Sequence, residues 1–205
     1  YIEGAALDVR RDADGTIRVA GFALPQSDDG ASGGADWAFS QTEMVVRHGN
    51  VTWTDALRSA PPLVLTDVDV VLRNRRNSHR MRIDATPPPE WGARFGANAV
   101  FTQSLLSRHP GHWREWRGDV YADLPQVDVA QMRRYMDLGT GVAQGTGALR
   151  AWLNVDQGRF EASTADVALT DVRVKVASKL EPVSLRYVAG RLGLRRLKAG
   201  MEFST

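Results

Sequence analysis

Residues 149–159 read Leu-Arg-Ala-Trp-Leu-Asn-Val-Asp-Gln-Gly-Arg. Leu149, Ala151, Leu153 and Val155 alternate with Arg150, Trp152 and Asn154, and Asp156-Gln157-Gly158 supplies a turn. Successive side chains of a β-strand point to opposite faces, so this is a strand with one apolar and one polar face that runs into a hairpin. The same alternation recurs at Met81, Ile83 and Ala85 against Arg80, Arg82 and Asp84. Strand-like segments follow one another almost from end to end, and only one stretch reads as helix. The expected fold is mainly β: a long, curved antiparallel meander sheet, shaped as a groove or half-barrel, with one short α-helix.

Working outward, four segments are expected. Residues 1–35 form an N-terminal β-hairpin and a flexible loop. Ala5, Leu7 and Val9 lead into the turn at Asp12–Gly15, Ile17 and Val19 follow, and Pro25 to Ala35 is rich in Gly, Ser and Asp. Residues 36–103 form an antiparallel β-meander. Thr42, Met44 and Val46 alternate, His48-Gly49-Asn50 reads as a turn, and Ala60-Pro61-Pro62 reads as a break. A strand from Leu63 to Arg73 carries Val64, Val68, Val70 and Leu72 on one face. After a turn at Arg75–Ser78 comes the Met81 strand, ended by Pro87-Pro88-Pro89, and then a strand bearing Phe95, Ala97, Ala99 and Phe101.

Residues 104–144 hold a loop bearing Trp and His, a strand, and the short helix. Asp128 can cap that helix, Gln131 stands three residues on, Val129, Met132, Tyr135 and Met136 share a face, and Gly139 and Gly141 end it. Residues 145–205 form a long β-hairpin and following strands. Val172, Val174 and Val176 take the opposite phase from Val167 and Leu169, which predicts a bulge or a corner near Asp171. The order hairpin, long strand, hairpin occurs twice, as a loose recurrence.

Composition excludes several functions. The 205 residues contain no Cys, so thiolate metal sites, disulfides and thiol nucleophiles are absent. The net charge is +2, and of the 26 basic residues only Lys175, Lys179 and Lys198 are lysines. Arginines spread along a nearly balanced chain point to codon usage in a GC-rich genome and away from nucleic-acid binding. No window approaches the roughly 18 apolar residues that span a bilayer. Tyr1 opens directly into strand-like sequence and Thr205 follows no terminating element, so an internal segment of a longer protein is expected.

Candidate chemistry is sparse. His109 and His112 flank Pro110-Gly111, but no third metal ligand stands near them, so no metal is expected. His48 and His79 are single. Asp67 and Asp69 share a face, which is expected to be the polar one. Gly139-Thr140-Gly141 and Gly145-Thr146-Gly147 run from helix to strand, the reverse of a phosphate-binding loop. No catalytic residue and no cofactor is expected, so the chain does not read as an enzyme. Trp91, Trp113 and Trp116 could form a sugar-binding or membrane-interface surface, or could cover a sheet edge.

Specific passages carry a resemblance. Asp36-Trp37-Ala38-Phe39, then Gly49-Asn50-Val51-Thr52-Trp53-Thr54-Asp55, then Pro61-Pro62-Leu63-Val64-Leu65 resemble the middle region of YhdP-type proteins of the AsmA-like superfamily. Leu72 with Asn74, His79, Ala85-Thr86-Pro87-Pro88, Trp116 to Tyr121 and Gly145 to Trp152 resemble the same region. The likeness covers about Asp36 to Trp152 and, more loosely, both flanks.

The resemblance implies a segment of a large, inner-membrane-anchored periplasmic protein of Gram-negative bacteria. Such proteins look like bridge-type carriers whose β-groove shields phospholipid acyl chains between the two membranes. No catalytic residue comes with it. The partners implied are phospholipid acyl chains, flanking segments of the same longer chain, and possible envelope proteins. The expected groove lining is Val64, Val68, Val70, Leu72, Met81, Ile83, Phe95, Phe101, Leu149, Leu153 and Val155. The alternatives are a closed core packed on the helix around Met132 and Tyr135, in a non-catalytic β-domain for envelope assembly or protein contacts, and a carbohydrate-binding β-domain.

Overall fold

A computed structural model describes residues 1–23, 33–107, 109–136, 141–175, 181–197 and 200–204. Its strands are β1 (Ile2–Glu3), β2 (Ala6–Arg11), β3 (Ile17–Val19), β4 (Phe22–Ala23), β5 (Glu43–Asp55), β6 (Ala60–Arg75), β7 (Ser78–Thr86), β8 (Phe95–Thr102), β9 (Arg117–Asp128), β10 (Val142–Asp156), β11 (Arg159–Val174), β12 (Val183–Leu197) and β13 (Gly200–Ser204). Among the described residues these thirteen strands make one open sheet, and from β5 to β13 each strand pairs with the next. The meander runs unbroken because short turns join antiparallel neighbours. At Gln157 and Gly158, φ is 51° and 67°. Two positive φ values in a two-residue connection match the twist of the flanking strands.

Three of the register slips in the sheet carry a residue with positive φ. At Asp171, φ is 51°, and the β10–β11 register slips between Gln144 and Thr146. Val172 thereby joins Leu169 in one buried cluster, as the phase change in the sequence requires. The other two bulges correct expectations. His48-Gly49-Asn50 does not turn the chain: β5 runs straight through, with φ of 49° at His48 and a register slip against β6. Opposite it, Asp67 has φ of 47°, and the register of β6 slips against β7. The slip moves Val64 off the row of Val68 and Val70. Leu63 and Leu65 continue that row instead, and Val64 is 44% exposed.

The remaining differences have simple causes. Ala60-Pro61-Pro62 opens β6 and does not break it, since a proline pair is tolerated where the pairing with β5 is already irregular. The N-terminal hairpin forms, with Val9 opposite Val19, but β1 and β2 pair with β5 in parallel, so the antiparallel order of the sheet is interrupted where the hairpin docks. There are two short α-helices among the described residues, not one. α1 (Gly33–Ser40) takes up the end of the expected loop, and most of the rest of that loop lies outside the described residues. α2 (Val129–Met132) is a single turn, capped as expected by Asp128, whose carboxylate accepts from the Ala130 and Gln131 amides. Val176, Gly139 and Thr140 lie outside the described residues.

The accessible surface is 13,208 Å². A compact monomer of 22.5 kDa would expose about 9,500 Å². An open sheet that the described residues cover only in part accords with that larger surface.

At the β2–β5 end one charge pair sits on the apolar face. Asp55 is fully buried, and its carboxylate accepts from both Arg11 Nε, at 2.9 Å, and Arg11 Nη2. Burial pushes the Asp55 carboxyl upward, but the Arg11 hydrogen bonds, the Arg58 amide and the two positive charges outweigh it and hold it below the usual carboxylate value. Arg11→Ala leaves that carboxylate buried with only Arg58 to offset its charge, and is expected to cost about 3 kcal/mol in urea unfolding. The double variant Arg11→Met with Asp55→Leu should recover most of the loss. A single variant as stable as the parent would show that the pair contributes nothing.

Candidate functional site

Cross-strand partners share a face, so the register alone draws the apolar face. One row runs Val46, Val70, Ile83, Ala97, Ala122, Ala151, Ala165 and Leu192, from β5 to β12. Beside it runs Met44, Leu72, Met81, Ala99, Val120 and Leu153. On its other side, Ala85 pairs with Phe95, and Leu124 with Leu149 and Val167. The central row across β8–β11 is all alanine, so it forms a lane floored by methyl groups, with Phe95, Leu124, Leu149 and Val167 along one side and Ala99, Val120, Leu153 and Ser163 along the other. The lane crosses the strands at right angles and spans roughly 14 Å over these four strands.

Of the expected lining residues, Val70, Met81, Ile83, Phe95, Leu149, Leu153 and Val155 lie on this face and are half-buried. Val68, Leu72 and Phe101 lie on it and are buried. Val64 does not, for the reason given by the Asp67 bulge. From β6 to β10 the register puts no charged side chain among the described residues on this face. The alanine lane itself is not legible in the sequence, because its four members come from four strands and only pairing aligns them.

Two small caps sit on the ends of the face. At one end, Phe39 of α1 stands edge-on to His79 and to Trp116, at ring separations of 5.4 and 4.6 Å. Trp116 stacks on His79 at 4.4 Å and packs with Phe101 and Ala99. Asn74 Nδ2 donates to the Ala38 and Gln41 carbonyls at the end of α1, while Asn74 Oδ1 lies 2.8 Å from His79 Nδ1. Trp116 Nε1 donates to Gln103 Oε1 at 3.1 Å. Asp36, Phe39, Asn74, His79 and Trp116, scattered among the passages that carry the family resemblance, thus meet in and around one cap. At the other end, α2 puts Val129 against Leu169 and Val172. None of the expected lining residues belongs to that cluster, so α2 does not close a core over them.

The other candidates disperse. His109 and His112 stack at 4.7 Å, and His109 Nδ1 lies 3.1 Å from Asp36 Oδ2. Among the described residues no group of three or more His, Asp or Glu is poised around a metal. Asp67 and Asp69 lie on the polar face, bound by Arg94. His48 Nδ1 sits 2.8 Å from Asp67, which raises the imidazole and lowers the carboxyl. The three tryptophans do not make one exposed surface. Trp91 packs on Tyr135, Trp113 lies under Arg114, and Trp116 is buried. No helix among the described residues is long and apolar enough to cross a membrane.

His79 makes the first cap sensitive to pH. Burial lowers its pKa, with Gln103 pulling partly back, and its Nε2 has no protein partner. The folded chain therefore favours neutral His79. That contribution is complete above the ordinary histidine value of about 6.5 and is lost as pH falls below it. His48 acts in the opposite sense, so the comparison must be made against a variant. Between pH 7.5 and 5.5 the parent should lose more in Tm than His79→Phe does. Parallel pH profiles would show that His79 titrates alike in the folded and unfolded chains.

A family model described as YhdP protein matches residues 1–205. No curated protein and no solved structure matches the chain.

Proposed function

Because the chain belongs to the YhdP family over its whole length, we propose that it is a segment of a bridge-like phospholipid carrier, and that the alanine lane is where acyl chains travel. The observation that carries this reading is an apolar face several strands wide that the described parts of the chain leave half-exposed. Each acyl CH₂ taken out of water gains about 0.8 kcal/mol. The lane offers that gain uniformly, with no charged group among the described residues from β6 to β10 to hold a lipid at one point. The result is shielding without anchoring, as sliding requires.

The face would act without catalysis. It would stand in the periplasm, as part of a protein anchored in the inner membrane, and flanking segments would extend the lane at either edge of the sheet. Headgroups would remain in water, because the lane is one side chain deep and open above.

The reading is tested on the chain purified from a Gram-negative host, by native mass spectrometry and lipid extraction. The parent should carry phospholipid at near-stoichiometric level. Ala122→Trp and Ala151→Trp, which fill the lane, should cut the load at least about tenfold while circular dichroism stays unchanged. Val100→Trp, on the opposite face, should leave it intact. A parent free of phospholipid that takes none from phospholipid vesicles, or lane variants loaded like the parent, would overturn it.

A further inference from the structure

The opposite face carries an apolar feature that acyl-chain transport leaves unused. Tyr121 on β9 and Trp152 on β10 are direct cross-strand partners. Their rings lie 5.3 Å apart and tilt at 44° to each other. Trp152 is 39% exposed and neighbouring Val100 46%. Together they floor a shallow depression of about 350 Å³ across β8–β11. Elsewhere this face is made largely of Arg, Asp, Asn and Thr, so two adjacent aromatic rings in it are out of pattern.

The surroundings select the ligand chemistry. Register places Asn98 and Thr164 at the two ends of the Tyr121–Trp152 row. The Asn98 side chain has no hydrogen-bond partner among the described residues. On one flank Asn154 donates to Asp119 at 3.0 Å. On the other flank Arg150 lies 3.5 Å from Asp123. Beyond it Arg191 holds Asp166 through two hydrogen bonds, with its guanidinium 5.7 Å from the Trp152 ring.

An acyl chain fits this site poorly, because the depression is shallow and short and Asn98, Thr164 and the Asp119–Asn154 pair stand at its rim. An anion fits poorly too, because the arginines nearby are already matched by carboxylates. What fits is a neutral molecule with one apolar face and a rim of hydroxyls. A pyranose ring is such a molecule: its C–H face can lie on an aromatic ring while its hydroxyls meet carboxylate and amide groups around it.

We propose that Tyr121 and Trp152 form a platform for a neutral saccharide, with Asn98 and the Asp119–Asn154 pair meeting its hydroxyls. The platform faces away from the alanine lane, so a segment moving lipid on one side could hold a glycan on the other. The proposal does not depend on the lipid reading.

The test uses the 205-residue chain with chitotetraose, cellotetraose and maltotetraose, followed by saturation-transfer NMR and calorimetry. At least one should bind with a Kd of about 1 mM or tighter, with its ring C–H protons the most strongly saturated. Trp152→Leu and Tyr121→Leu keep apolar bulk in the sheet but remove the ring faces. Each should weaken binding at least about tenfold, with thermal unfolding and phospholipid load unchanged. Trp113→Ala, at an exposed tryptophan elsewhere, should bind as the parent does. Failure of all three saccharides to bind the parent, or equal binding by Trp152→Leu, would overturn the proposal. A change in phospholipid load without loss of sugar binding would do the same.

Discussion

The ladder of backbone hydrogen bonds from strand to strand is the constraint on which the rest depends. From β6 to β12 each strand finds its partners in the neighbours that precede and follow it. The peptide groups are thereby satisfied within the plane of the sheet, and the two faces carry only side chains. Most β domains cover their apolar face with a second layer. Among the described residues only the ends of this face are covered, by α1 and Trp116 at one and by α2 at the other. An apolar face can stand open between them because no backbone polar group is stranded there.

The caps differ in kind. The α2 cap is a plain apolar contact of Val129 with Leu169 and Val172. The α1 cap is built on buried polar groups, Asn74, His79 and Gln103, each with a direction. α1 begins Gly-Gly, which disfavours helix, and it holds its place because Asn74 binds its last carbonyls and Phe39 enters the aromatic cluster. Geometry of that sort fixes one position, while a greasy contact tolerates several.

Much of this architecture is legible in the sequence, and what is not has an identifiable cause. Leu149 to Val155 fixes strand, face and following turn at once, because alternation, β-propensity and Gln157-Gly158 agree. The Asp171 bulge is legible because the apolar phase changes on either side of it. The His48 and Asp67 bulges are not, since they lie opposite each other on different strands and His48-Gly49-Asn50 imitates a turn. Val64 was misplaced for that reason alone. α1 is illegible because tertiary contacts hold it and eight residues carry little periodic signal. The parallel seating of β2 on β5 depends on which edge a hairpin docks against, and no local pattern records that.

Because the lane runs across the strands, its length is counted in strands and not in residues. Adding or removing one hairpin changes it by two strand spacings, roughly 10 Å, and leaves every other side chain on its own face. Inserting a single residue within a strand sends all that follow to the wrong side unless a bulge absorbs it, as at His48, Asp67 and Asp171. A protein built this way can match its span to a gap in whole-hairpin steps, with bulges serving as the joints that keep the two faces from mixing.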